Sequence, residues 1–312
     1  METNHIQQVA WYVAQLRHDD QVDLYSQFLS SLSHEADKRL SLSLAVENSL
    51  PIHEILTQVV QRIHDLETEE SADEITEIQL ISRKIDAISW LLYDPKQMDE
   101  AVEKTNFLIR KLKATGKDES AQAAFDKLPD NAGDAIVQLE DLDDRQRLIV
   151  REYLSWSAYF IAKTAFDRWF THYNKERPQA PKGQTSQHLT HKVTLEKQVQ
   201  QYQIHMEQWK ATQEALAQEA QEKLMAVLTF SEGWLAEPEE DEELMYLRKV
   251  CIPEVVLLCH TVLHTVKDYK AAMALADVVA SEVHGLYECF HKENMRIFLN
   301  KIKQSAVCNL EQ

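Results

Sequence analysis

LMYLRKVCIPEVVLLCHTVLHTVKDYKAAMALADVVASEVHGLYECFHKENMRIFLNKIKQSAV, Leu244–Val307, is the stretch whose reading decides the fold. Three helices can be drawn in it. The first, Glu243–Val266, is apolar nearly all round between Val250 and Leu263, so it belongs among other helices rather than at a surface. The second, Lys267–Val283, sets Tyr269, Ala272, Met273, Ala276, Val279, Ala280 and Val283 on one stripe. Leu275, Val278 and Leu286 make another. The third, Lys292–Val307, places Met295, Phe298, Leu299 and Ile302 at i, i+3, i+4 and i+7, an amphipathic spacing. This last helix is expected to have neighbours on one side only, so a second apolar stripe next to it predicts a partner protein there.

Working outward, the same signal fills the chain. Of 312 residues only five are glycine and seven proline, while Ala, Leu, Glu, Gln and Lys dominate; that composition favours helix and disfavours sheet. Helices are expected over His5–Leu16, from Asp19 or Asp20 onward, over Glu35–Glu47, after Pro51, over Ile75–Tyr93, and from Asp94-Pro95 to Lys113. Thr115-Gly116-Lys117 reads as a turn, followed by short helices ending at Leu128-Pro129 and running Asn131–Leu139. Two long helices follow. Arg145–Tyr173 carries Tyr153, Trp156, Tyr159, Phe160, Phe166, Trp169 and Phe170, read as helix-packing core. His188–Phe230 follows the loop ERPQAPKGQTSQ, and Glu232-Gly233 ends it with Trp234 and Leu235 tucked back. About a dozen helices joined by short turns predict an all-α, irregular helical solenoid of antiparallel stacked helices. The expected division is 1–174 as an N-terminal stack and 188–312 as a long helix with a C-terminal module, joined through 175–187 as one continuous solenoid. No fixed-period repeat is visible.

Charge narrows the partners. The net charge of −18 disfavours a phosphate backbone, which needs clustered Lys and Arg, and an anionic membrane surface. Val250–Leu263, the longest apolar run, is broken by Pro253, Glu254 and His260 and falls short of the ~20 residues of a bilayer span. The first residues lack the basic start and cleavage site of a signal peptide. Cys251, Cys259, Cys289 and Cys308 are expected reduced. Cys251 and Cys259 would stand ~12 Å apart along one helix, too far for a bridge.

No catalytic or cofactor-binding constellation emerges. His260 and His264, with Cys259 beside them, have the i, i+4 spacing of a helical zinc site. No further ligand completes it, and a pair of core imidazoles with hydrogen-bonded tips is the expectation. His188 and His191 read as a solvated face. Glu69-Glu70, Asp143-Asp144 and Glu239–Glu243 lie in acidic loops, where nothing would separate two carboxyl pKa values for acid–base work. Arg168, Trp169, His172, Tyr173 and Lys175 could stack a base, but the surrounding acidity opposes it.

Several stretches in order carry a family resemblance. They are Leu247-Arg248-Lys249, Pro253, Leu258, His260–His264, Tyr269, Leu275-Ala276-Asp277, Ser281-Glu282, His284, Leu286-Tyr287, Phe290, Lys292-Glu293 and the terminal amphipathic helix. Earlier ones are Lys84–Leu91, Asp94-Pro95, Phe125–Pro129, Trp169-Phe170 and Val227–Trp234. Together they resemble the C-terminal portion of the nucleoporin 107 family, scaffold subunits of the Y-shaped outer-ring complex of the nuclear pore. The acidic loops at Glu67–Glu74 and Glu237–Glu243 depart from it. The resemblance implies an α-helical stack at the nuclear envelope that supports mRNA and protein transport without enzymatic activity. It also implies end-to-end contact of the C-terminal helices with the C-terminal domain of nucleoporin 133. The family's nucleoporin 96 site is expected outside this stretch. Candidate partner-binding residues are Tyr269, Met273, Leu286, Tyr287, Phe290, Met295, Phe298 and Ile302, each of which could instead be intrachain core. Two other readings stay open: a peptide-binding adaptor in trafficking, and a metal-dependent enzyme using His260 and His264.

Overall fold

The helices begin and end where local chemistry dictates. In the computed structural model, residues 2–32, 34–66, 74–137, 142–180, 189–236 and 241–311 are described; for 2–4, 74 and 189–196 the backbone alone is. The helices α1 (Glu2–Val13), α2 (His18–Ser30), α3 (Glu35–Glu47), α4 (Ile52–His64), α5 (Glu74–Leu91), α6 (Met98–Ala114), α7 (Asp118–Phe125) and α8 (Ala132–Val137) come first. They are followed by α9 (Asp144–Lys175), α10 (Leu189–Leu228), α11 (Glu242–Thr265), α12 (Tyr269–Ala280) and α13 (Lys292–Leu310). Short 3-10 turns at Pro95–Gln97 and Leu286–Cys289 complete the order, and no strand occurs among the described residues. Asp94, Asp241 and Asp268 accept backbone N–H groups at the starts of their turns, satisfying donors that the first helical turn leaves open.

Three helices stop in the same way. After α3, α6 and α11 a residue with positive φ follows the cap: Ser49 at 56°, Gly116 at 73° and Lys267 at 65°. In each the next N–H folds back on a carbonyl of the last turn. Leu50 bonds Ala45 at 3.0 Å, Lys117 bonds Leu112 at 2.8 Å and Asp268 bonds Leu263 at 2.9 Å. This is the Schellman closure, for which glycine is the least strained choice. Only Gly116 was legible as such a turn.

The chain divides into two compact units, Met1–Tyr153 and Leu154–Gln312. In each, helices pack against the next and often the next-but-one in sequence, the arrangement of an irregular α-solenoid. In the first unit the amphipathic α4 buries Ile55, Leu56, Val59, Val60 and Ile63 against α2 and α5. Several polar groups inside are paired. Tyr25 donates to the Ser41 carbonyl at 2.7 Å and Asn106 to the Ile149 carbonyl at 3.0 Å. Arg110 forks onto Glu152 at 2.7 and 2.6 Å.

In the second unit α11 is the central element, buried on most sides from Leu244 to Leu263, Pro253 included. It packs against α10, α12, α13 and the Leu286–Cys289 turn. The aromatic residues of α9 meet Trp234, which follows α10. The Trp156 and Trp234 rings lie edge to face at 5.4 Å, and the Trp234 indole N–H donates to the Ser155 carbonyl at 2.6 Å. Trp234 and Leu235 are buried, as their sequence context predicts. Phe170 departs from the expected core stripe and is exposed. The expected acidic patches at 67–73 and 237–240, Glu69-Glu70 and His188 lie outside the described residues, as does the greater part of the 175–187 loop.

Candidate partner interface

The helix pair α12–α13 sits on α11 as a hairpin. Lys267 in the left-handed region turns the chain back, and Asp268 caps α12 through the Ala271 N–H at 3.0 Å. α12 ends at Ala280, so Val283 leaves its expected stripe and stands 82% exposed. Gly285, with φ 57°, opens the 3-10 turn that carries Leu286 back into the unit.

The histidine pair joins this hairpin to α11. His260 Nε2 and His264 Nδ1 each lie 2.9 Å from Ser305 Oγ. One hydroxyl serves both rings, donating its proton to one nitrogen and accepting from the other's N–H. The result ties α11 to α13. Burial, helped by Lys301 and His264, pushes the His260 pKa down to about 4. Burial likewise raises the Cys259 thiol to about 12, far from the thiolate that metal binding or nucleophilic attack requires. No group of three or more His, Cys, Asp or Glu placed for a metal occurs among the described residues.

The eight expected partner-binding residues separate. Leu286 and Phe298 are 2% and 1% exposed and form the chain's own core, with Phe298 against the Phe290 ring at 5.8 Å. Of the two readings left open for these residues, intrachain core is the one that Leu286 and Phe298 take: the face of α13 that carries Phe298 and Ser305 is the one turned to α11 and α12. Tyr269, Met273, Phe290, Met295 and Ile302 are half-buried, and Tyr287 is exposed. Two residues that the sequence reading left out of the site stand further out, Leu299 at 53% and Leu310 at 86%. With Met295, Ile302 and Ala306 they follow i, i+4, i+7, i+11 and i+15, one continuous stripe down α13. Lys292, Arg296 and Lys303 border it and are exposed. The signal for Leu299 was already in the spacing. Leu310 was missed because the helix runs one turn beyond Val307.

Arg168, Trp169, His172 and Tyr173 of α9 make contacts within the unit. An open groove of about 560 Å³ between α9 and α10 is lined by Arg168, His172 and Glu176 among others. Its cations are paired, Arg168 with Glu219 at 3.2 Å and His172 with Glu176 at 2.7 Å. Trp169 is buried against Tyr173, so no free aromatic platform with open charges is formed there.

Against this geometry, known proteins give a consistent answer. The family model described as nuclear pore protein 84 / 107 matches residues 1–306. The chain is similar to the nuclear pore complex protein Nup107 of mouse and of human, at 33% identity in each case over 99% of the chain and 36% of the relative. It is similar to the Drosophila melanogaster protein of the same description at 27% identity, over 96% of the chain and 39% of the relative. The nucleoporin nup107 of Schizosaccharomyces pombe is 23% identical over 97% of the chain. The chain thus spans little more than a third of the length of these relatives. With an all-helical stack, a matched family across 306 residues and relatives from yeast to mammals, the chain belongs to the nuclear pore protein 84 / 107 family.

Proposed function

We propose that this chain is a structural scaffold segment of the nuclear pore complex at the nuclear envelope. It supports transport between nucleus and cytoplasm by holding a neighbouring subunit. The observation that carries the reading is the stripe of α13 formed by Met295, Leu299, Ile302, Ala306 and Leu310, in which Leu299 and Leu310 stand exposed and the other three are half-buried. Family membership supplies the setting. The partner assigned is the C-terminal domain of nucleoporin 133, whose helices would lie along this stripe, with Tyr269, Met273, Tyr287 and Phe290 as further candidate contacts. Nucleoporin 96 would be held by residues outside this chain. An apolar helix face laid against another helix gives a contact that tolerates salt. No enzymatic step is part of this role.

The test is capture of the intact chain by the nucleoporin 133 C-terminal domain, with Leu299→Asp and Met295→Asp variants. Both variants should keep the wild-type circular dichroism spectrum and lose capture by tenfold or more. Undiminished capture by well-folded variants would refute the assignment. So would wild-type capture that vanishes between 50 and 500 mM salt, on the order expected for charge-driven contacts.

A further inference from the structure

We propose that the Ser305 hydroxyl, shared by His260 and His264, is a positioning device: it holds α13 in a rotation that keeps Leu299 and Leu310 turned outward for a partner subunit. The partner half of that statement rests on the reading of the α13 stripe as a docking surface. The positioning half stands on the geometry of the second unit alone. Burial along α13 does not follow its hydrophobicity. Its two buried residues are Phe298 and Ser305. Counting from Phe298 at roughly 100° per residue, Ile302, Met295, Ala306, Leu299 and Leu310 lie to one side, from roughly 40° to 120° round the helix. Asn294, Lys301 and Cys308 lie to the other, at roughly 40° to 80°. The polar side is half-buried throughout, whereas Leu299 and Leu310 on the apolar side are exposed.

Apolar burial alone would favour a different rotation. Turning α13 by roughly 60° about its own axis would centre the apolar arc on the unit, bringing Leu299 inward and carrying Lys301 and Cys308 outward. What opposes this turn is directional. Ser305 Oγ lies 2.9 Å from His260 Nε2 and 2.9 Å from His264 Nδ1. For a side-chain atom about 5 Å from the helix axis, the turn is a displacement of about 5 Å, which breaks both hydrogen bonds. His260 is 2% exposed, so its ring nitrogen would be left buried without that partner, a costly outcome. Burial is indifferent to small changes of angle, but a hydrogen bond is not. One buried polar contact can therefore select a register that apolar packing leaves open.

The test uses the native thiols of the intact chain as reporters. Cys251, Cys259 and Cys289 are buried and Cys308 is half-exposed, so maleimide should reach Cys308 first. Ser305→Ala removes both hydrogen bonds with little change in volume. It should speed labelling of Cys308 at least threefold and leave the three buried thiols protected. In a Cys308→Ser background, Leu299→Cys should label at least threefold more slowly once Ser305→Ala is added. Ser305→Thr, which keeps the hydroxyl, should return both rates toward wild type. His264→Leu, at a half-buried position, removes one of the two bonds and should move both rates in the same directions by less. Capture by the nucleoporin 133 C-terminal domain should fall tenfold or more in Ser305→Ala and recover in Ser305→Thr. Unchanged rates at both reporters in Ser305→Ala and His264→Leu would overturn the positioning. So would a rise at both reporters together, which is fraying or unfolding rather than rotation. A wild-type chain whose thiols respond as expected but which never captures the domain would instead sink the partner reading, with the rotation of α13 upheld.

Discussion

Phe298 and Leu299 are adjacent in sequence and should behave as opposites. Phe298 is enclosed against Phe290. A buried aromatic side chain removes roughly 200 Å² from water, worth ~5 kcal/mol as an upper value at ~25 cal/mol per Å². Phe298→Ala should therefore destabilise the second unit by ~3–5 kcal/mol, cavity included. Leu299 is 53% exposed, so Leu299→Ala should change stability by no more than ~0.5 kcal/mol. For a unit of this size ~1 kcal/mol moves the melting temperature by ~2–4 °C. Thermal melts followed by circular dichroism should thus show a drop of ~6–20 °C for the first variant and ~2 °C or less for the second. Urea titrations should give the same order. Comparable losses from both variants would mean that α13 does not turn Phe298 inward, and the assignment of its outer stripe would fall with it.

Three further outcomes follow from named contacts. His260, held at about pKa 4 by burial against ~6.5 in the unfolded chain, binds its proton more weakly when folded. Its contribution is full above pH ~6.5 and is lost as pH falls toward ~4, at most ~3 kcal/mol. His260→Gln, which keeps a polar tip without titrating, should flatten that part of the stability–pH curve in urea titrations, and an unchanged slope would refute the assignment. Arg110→Met leaves the buried Glu152 carboxylate without its fork and should cost ~3–5 kcal/mol in denaturant titration, whereas adding Glu152→Met should recover most of the loss. Trp234→Phe removes the indole donor from the buried Ser155 carbonyl and should cost ~1–3 kcal/mol, read as a lowered melting temperature.

The helical class, the order of helices, the tucked Trp234 and the hydrogen-bonded histidine pair were all legible from residues alone. Each depends on spacing within a few residues, which a sequence displays directly. The Schellman turns at Ser49 and Lys267 were hidden because neither residue type announces a left-handed backbone. The sequence also fixed that α13 has more apolar surface than one face can bury: Met295, Phe298, Leu299 and Ile302 are visible as a set. It could not say which of them faces inward. That depends on how the helix is rotated against α11 and α12, and the Ser305 hydroxyl between His260 and His264, across about 40 residues of sequence, lies on the face turned inward together with Phe298. Helix formation is governed by local periodicity, whereas exposure is a property of pairs of helices, and only the tertiary structure contains the pairs.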